Sequence, residues 1–113
     1  MNIANDQLQH FTGTSNYYEY LSGNVLTDGT LQLGEQFKCY WFLDIICSYS
    51  EHLLTEEFQV WTLEKLPDES AVVECTDGND NTLVTQKITW TDFSMDKAIV
   101  WKQQNVLYLP SEH

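Results

Sequence analysis

The chain has 113 residues and a mass of 13.2 kDa, room for one domain over residues 1–113 and no second core. Apolar residues make up 42%, with four Trp, six Tyr and five Phe, enough to bury a core, so intrinsic disorder is excluded. Seventeen acids face five bases, all of them lysine, for a net charge of -12. That charge removes conventional nucleic-acid binders, which need a basic footprint, and disfavours anionic membrane surfaces.

Met1 to Phe11 has neither a positive start nor an apolar run, so no signal peptide is expected, and residues 3–11 read as a short helix. Tyr17 to Leu21 and Asn24 to Thr27 are aromatic and β-branched around Ser22-Gly23, which predicts an extended pair or a bent strand. Asp28 is placed to cap a helix running from about Thr30 to about Ser50. Gly34 is its one weak point, and Cys39 to Leu43 is apolar all round the axis, so this helix should be covered on more than one side.

From Thr55 the period changes to two. Phe58 to Leu66, Ala71 to Thr76 and Leu83 to Thr91 read as strands, joined by turns at residues 67–70 and 77–81. Ile99 to Lys102 and Val106 to Leu109 form a last, shorter pair, and Pro110 stops the final strand. The expected fold is α+β: one long helix across an antiparallel meander of four to six strands.

No catalytic residue stands out. Cys39, Cys47 and Cys75 are an odd number with no C-x-x-C pair, which points to free thiols in a reducing, cytoplasmic setting. Cys39 and Cys47 lie in the most apolar stretch, where burial makes a thiol inert, while Cys75 is expected to be half exposed. His10, His52 and His113 are far apart and no cysteine pair brackets them, so no metal is expected. Asp77-Gly78-Asn79-Asp80-Asn81 alternates oxygen side chains like a calcium loop, but Thr82 and Ile88 stand where Gly and Glu belong, leaving a hairpin turn. No phosphate loop, nucleophile elbow or dinucleotide fingerprint occurs, so no cofactor is expected and the balance is against an enzyme.

The candidate binding residues form a polar set. Asp44 lies near the helix face of Leu33, Phe37 and Tyr40, and Ser48 and Glu51 continue that stripe, with His52 beside them. It reads either as a pocket carboxylate sharing a proton with His52, or as an exposed stripe or a buried, hydrogen-bonded Asp; the latter two take precedence. Gln86 interrupts the apolar row Val84, Ile88, Trp90, and Gln59 does the same beside Trp61 and Leu63. A buried amide needs partners, so a network with Asp44 or a Tyr hydroxyl is expected, as structural pinning ahead of a ligand cradle.

Several short pieces run in a recognisable order: Phe11-Thr12-Gly13-Thr14, Tyr17-Tyr18, Thr27-Asp28-Gly29, Tyr40-Trp41-Phe42-Leu43-Asp44, Phe58-Gln59-Val60-Trp61, Cys75-Thr76-Asp77-Gly78-Asn79, Gln86-Lys87-Ile88, Thr91-Asp92-Phe93 and Leu109-Pro110-Ser111-Glu112. Together they resemble an uncharacterised bacterial small-protein family of unknown function, often met near plasmid and phage genes. The resemblance implies a free-standing domain and carries no activity or catalytic residue.

The leading functional reading is a non-enzymatic, acidic protein-interaction module with a partner of basic character, in the form of an accessory or inhibitory factor of a mobile element. The alternative is an acidic nucleic-acid mimic that blocks a DNA-handling protein; the even split of charge, -6 in residues 1–56 and -6 in 57–113, speaks against it. A small ligand-binding or hydrolytic domain comes third. Self-association as a homodimer is also expected, because Phe42 and Ile46 project opposite Tyr40 and Asp44, where one sheet does not reach both sides.

Overall fold

The computed structural model describes residues 1–113. Ile3 is held by a parallel bridge to Lys97, and a 3-10 turn follows over Ala4–Leu8. Asn5 anchors that turn: its Nδ2 donates to the Ile99 carbonyl at 2.9 Å and its Oδ1 accepts from the Ile99 N–H at 2.8 Å. The N-terminus thus satisfies backbone groups that a neighbouring strand would otherwise take. It is a 3-10 turn and not the helix expected over residues 3–11.

Strands β1 (Tyr17–Glu19) and β2 (Val25–Thr27) form the antiparallel pair expected from the sequence. Helix α1 (Asp28–Gln36) follows at once, but Thr27, not Asp28, is its cap. Thr27 Oγ1 accepts from the Thr30 N–H at 3.3 Å, and Thr30 Oγ1 accepts from the Thr27 N–H at 2.9 Å, a reciprocal capping box. Asp28 instead holds the preceding loop, accepting from the Ser15 N–H and the Tyr18 hydroxyl, each at 2.9 Å.

The single long helix is two. α1 stops, and α2 (Tyr40–Ser48) begins after a break at Phe37-Lys38-Cys39. Lys38 adopts a left-handed φ of 52°, and the Cys39 N–H reaches back to the Gly34 carbonyl at 3.1 Å. This is a Schellman close with lysine where glycine is usual, so no residue type announces it. Gly34 has no room for a side chain: a Cβ there would lie 2.9 Å from the Tyr40 ring. The two helices fold against each other at that glycine.

Strands β3 (Phe58–Lys65), β4 (Ala71–Thr76), β5 (Thr82–Ile88), β6 (Lys97–Gln103) and β7 (Val106–Tyr108) follow. The sheet has seven strands in the order β1-β2-β7-β6-β3-β4-β5, more than the four to six expected. All pairs are antiparallel except β2 with β7, so the sheet is mixed and not a pure meander. The parallel step arises because the N-terminal pair docks beside the last strand.

One face of the sheet is covered. Trp61, Leu63, Val73, Cys75, Ala98, Val100 and Leu107 project to it and pack with Leu33, Phe42, Leu43, Ile46 and Phe93 into one apolar cluster. Phe42 and Ile46 are fully buried in the single chain, so the reason for a dimer through that face falls away. Cys75 is fully buried as well, not half exposed, because its strand lies inside the sheet. The Asp77 loop is a hairpin turn, its carboxylate accepting from the Asn79 and Asn81 N–H groups at 2.8 and 3.3 Å. No helix is long and apolar enough to cross a membrane.

Candidate functional site

The polar set does not converge on one point. Asp44 is exposed and accepts from the Tyr20 hydroxyl, at the opposite end of a short link to the β1–β2 connection. Burial, and then the Asp44 carboxylate, push the Tyr20 hydroxyl well above the usual phenol range. Ser48 is exposed and its hydroxyl donates to the Ile45 carbonyl of its own helix at 2.6 Å. His52 is exposed beside the Tyr49 ring, with centroids 6.1 Å apart.

The two glutamines are tied into the core through aromatic side chains. Gln86 Oε1 accepts from the Tyr49 hydroxyl at 3.0 Å, and the Tyr49 ring lies 5.8 Å from Trp61. Trp61 Nε1 donates to Gln59 Oε1 at 2.8 Å, and Gln59 Nε2 donates to the Glu56 carbonyl at 3.5 Å. A tyrosine hydroxyl does meet one amide, as expected, but it is Tyr49, and Asp44 takes no part.

Ser48, His52 and Gln59 border a groove between the segment after α2 and the β6–β7 turn. One lobe, of about 300 Å³, is lined by Ser50, Glu56, Glu57, Gln59, Lys102 and Asn105 among others. A second lobe carries Cys47, Ser48, Glu51 and His52 and shares Ser50, Leu54 and Asn105 with the first. Lys102 is the least expected group here. It stands on the inward row of β6 with Ala98 and Val100, opposite Gln59 and Leu107 on the neighbouring strands, and is 4% exposed. Its Nζ donates to Ser50 Oγ at 3.0 Å, and no carboxylate pairs with it. Asn24 Nδ2 donates to the same oxygen at 3.0 Å, while Asn24 Oδ1 is buried without a partner. Burial pulls the Lys102 ammonium below its ordinary range. The thiols of Cys47 and Cys75 are pushed up, chiefly by burial, to about 11 and about 12, which makes them poor nucleophiles.

The opposite face of the sheet is uncovered. On it Trp101 lies edge-on to Phe58, Tyr108 and His113, with centroids 5.4, 6.1 and 5.6 Å apart. The cross-strand register puts Val60 and Tyr108 on either side of Trp101, and Val106 opposite Gln103. Farther along the same face come Thr62, Glu64, Val72 and Glu74, with Lys97 opposite Glu64 and Lys87 opposite Val72. The C-terminus is drawn over this face by Glu112, whose carboxylate accepts from the Thr27 hydroxyl at 2.6 Å, the Leu109 N–H at 2.8 Å and the Gly29 N–H at 3.0 Å. Those bonds satisfy donors at the start of α1 and fix His113 beside Tyr108, ring centroids 6.0 Å apart.

A family model described as a family of unknown function, DUF6876, matches residues 2–113. The chain belongs to that family. The resemblance carried by the ordered sequence pieces therefore holds over nearly the full length. No curated protein and no solved structure matches the chain.

Sequence reasoning missed Lys102, Ser50 and Asn24, and the ring cluster around Trp101. For Lys102 the signal was present: a charged residue on an apolar period-two row, the same irregularity that singled out Gln59 and Gln86. The strand as read began at Ile99, which hid Ala98 and with it the phase of the row. Ile99 and Trp101 make the other row apolar too, so alternation alone does not say which face is buried.

Proposed function

We propose that this family member is a non-enzymatic binding module that takes a basic polypeptide partner on the uncovered sheet face. The observation that carries this reading is the ring cluster of Phe58, Trp101, Tyr108 and His113 on a face that no helix covers. Partly exposed rings beside Val60 and Val106 offer apolar contact area. The faces of Trp101 and Tyr108 attract Lys and Arg side chains, a contact worth about 0.5–2 kcal/mol. Glu64 and Glu74 share the face with Lys97 and Lys87, so the steering of a basic partner comes from the net charge of -12 on the chain as a whole.

The test is affinity capture from the source cell with the wild-type chain, Trp101→Ala and Glu74→Lys, at low and high salt. Circular dichroism confirms that each variant is folded. A basic protein held by the wild type, lost in high salt and lost from both variants supports the reading. A captured protein that is acidic, or one held equally by Trp101→Ala and Glu74→Lys, overturns it.

A further inference from the structure

We infer that the groove between the Ser50–Glu57 segment and the β6–β7 turn binds a small zwitterion, a molecule carrying both a carboxylate and an ammonium group, such as a free amino acid. The site is independent of the sheet face: it opens on the helix side, and nothing in the proposed partner contact uses it.

The floor supplies one charge and the rim the other. Lys102 Nζ has Ser50 Oγ as its one protein partner, leaving donors free on a buried ammonium that faces the cavity. A lysine buried without a carboxylate is costly, and an anionic group placed on it regains the lost solvation. Ser50 Oγ accepts from both Lys102 and Asn24, so its own hydrogen is available to the same ligand oxygen. At the rim, Glu56 and Glu57 are in no ion pair, and the Gln59 amide holds Glu56 in place through its carbonyl.

Charge selects among ligands. A simple anion drawn to Lys102 must pass two carboxylates on a strongly acidic protein. A simple cation attracted by those carboxylates meets a buried ammonium below. A dipolar molecule satisfies both at once, with its carboxylate down on Lys102 and Ser50 and its ammonium up between Glu56 and Glu57. The volume of about 300 Å³ lies at the small end of ligand sites, roughly 300–1,000 Å³, and the second lobe beyond Ser50 gives a polar side chain somewhere to extend.

The test is a screen of the common free amino acids, at millimolar concentration, by thermal shift and by amide chemical-shift changes. The best responder is then compared with its N-acetyl form, which lacks the ammonium, and its carboxamide, which lacks the carboxylate. The expected result is a dose-dependent rise in melting midpoint, with shifts at Ser50, Gln59 and Gln104. Each blocked form should bind about tenfold or more weakly. Lys102→Met should abolish the response and Glu57→Gln should weaken it. If Lys102→Met fails to fold, the blocked forms on the wild-type chain decide. No response to any free amino acid, equal binding of either blocked form, or full binding by a folded Lys102→Met overturns the inference.

Discussion

Raising the pH from about 8 to about 10 should remove a large part of this protein's stability, through three thiols that are each at most 1% exposed. Burial pushes Cys39 and Cys75 up to about 12 and Cys47 up to about 11, from an ordinary 9.0. The unfolded chain ionises these thiols near pH 9 while the folded chain keeps its protons, so the folded state holds more protons above that point. Stability is therefore intact below pH 9 and is withdrawn as the pH climbs toward the folded values. Each thiol withdraws about 1.4 kcal/mol per pH unit, so the three together remove roughly 4 kcal/mol by about pH 10. Against a typical total of about 5–15 kcal/mol, that is a visible loss. The clean comparison is Cys39→Ala in urea unfolding followed by circular dichroism, with a phosphine reductant throughout. At about pH 8 the variant should be less stable by about 0.5–3 kcal/mol. By about pH 10 the gap should narrow by about 1.4 kcal/mol, because the variant no longer has that thiol to protect. Parallel pH curves for the two proteins would refute the argument, since they would mean that the Cys39 proton is not what the folded state retains.

Lys102 predicts the opposite trend. Its folded ammonium titrates below the ordinary 10.5, so its burial penalty is present at neutral pH and relieved as the pH rises toward 10.5. Any stability that Lys102→Met gains over the wild type at neutral pH should shrink through that window in paired urea titrations. Lys38→Gly should stabilise the chain by up to about 1 kcal/mol by removing left-handed strain, while Lys38→Val should destabilise it, both read as denaturation midpoints. Glu112→Ala leaves three donors at the α1 start and the C-terminus without their acceptor, and should lower stability by about 1–3 kcal/mol in a thermal melt.

The amino-acid sequence by itself determined the α+β class, the first extended pair and the positions of the later strands. The reason is local: period-two runs from Phe58 onward are bounded by Pro, Gly, Asn and Asp turns, and both signals act within a few residues. Burial of Cys39 and Cys47 was legible for the same reason, as they sit in a continuous apolar run. The polar residues were legible one at a time, because a Gln or Asp on an apolar row is visible without knowing its neighbours. Tertiary structure decided the rest. The helix breaks at Lys38, whose left-handed φ of 52° brings the Tyr40 ring against Gly34, a contact that no propensity at residue 38 expresses. Docking the N-terminal pair beside β7 made the sheet mixed, and Phe42 and Ile46 are buried within the single chain. Lys102 and Ser50 are 52 residues apart in the chain, and only the packing of β6 against the segment after α2 puts their polar atoms 3.0 Å apart. Which residues meet across such a distance is set by the sum of all the packing in the core, and a local pattern holds no record of it.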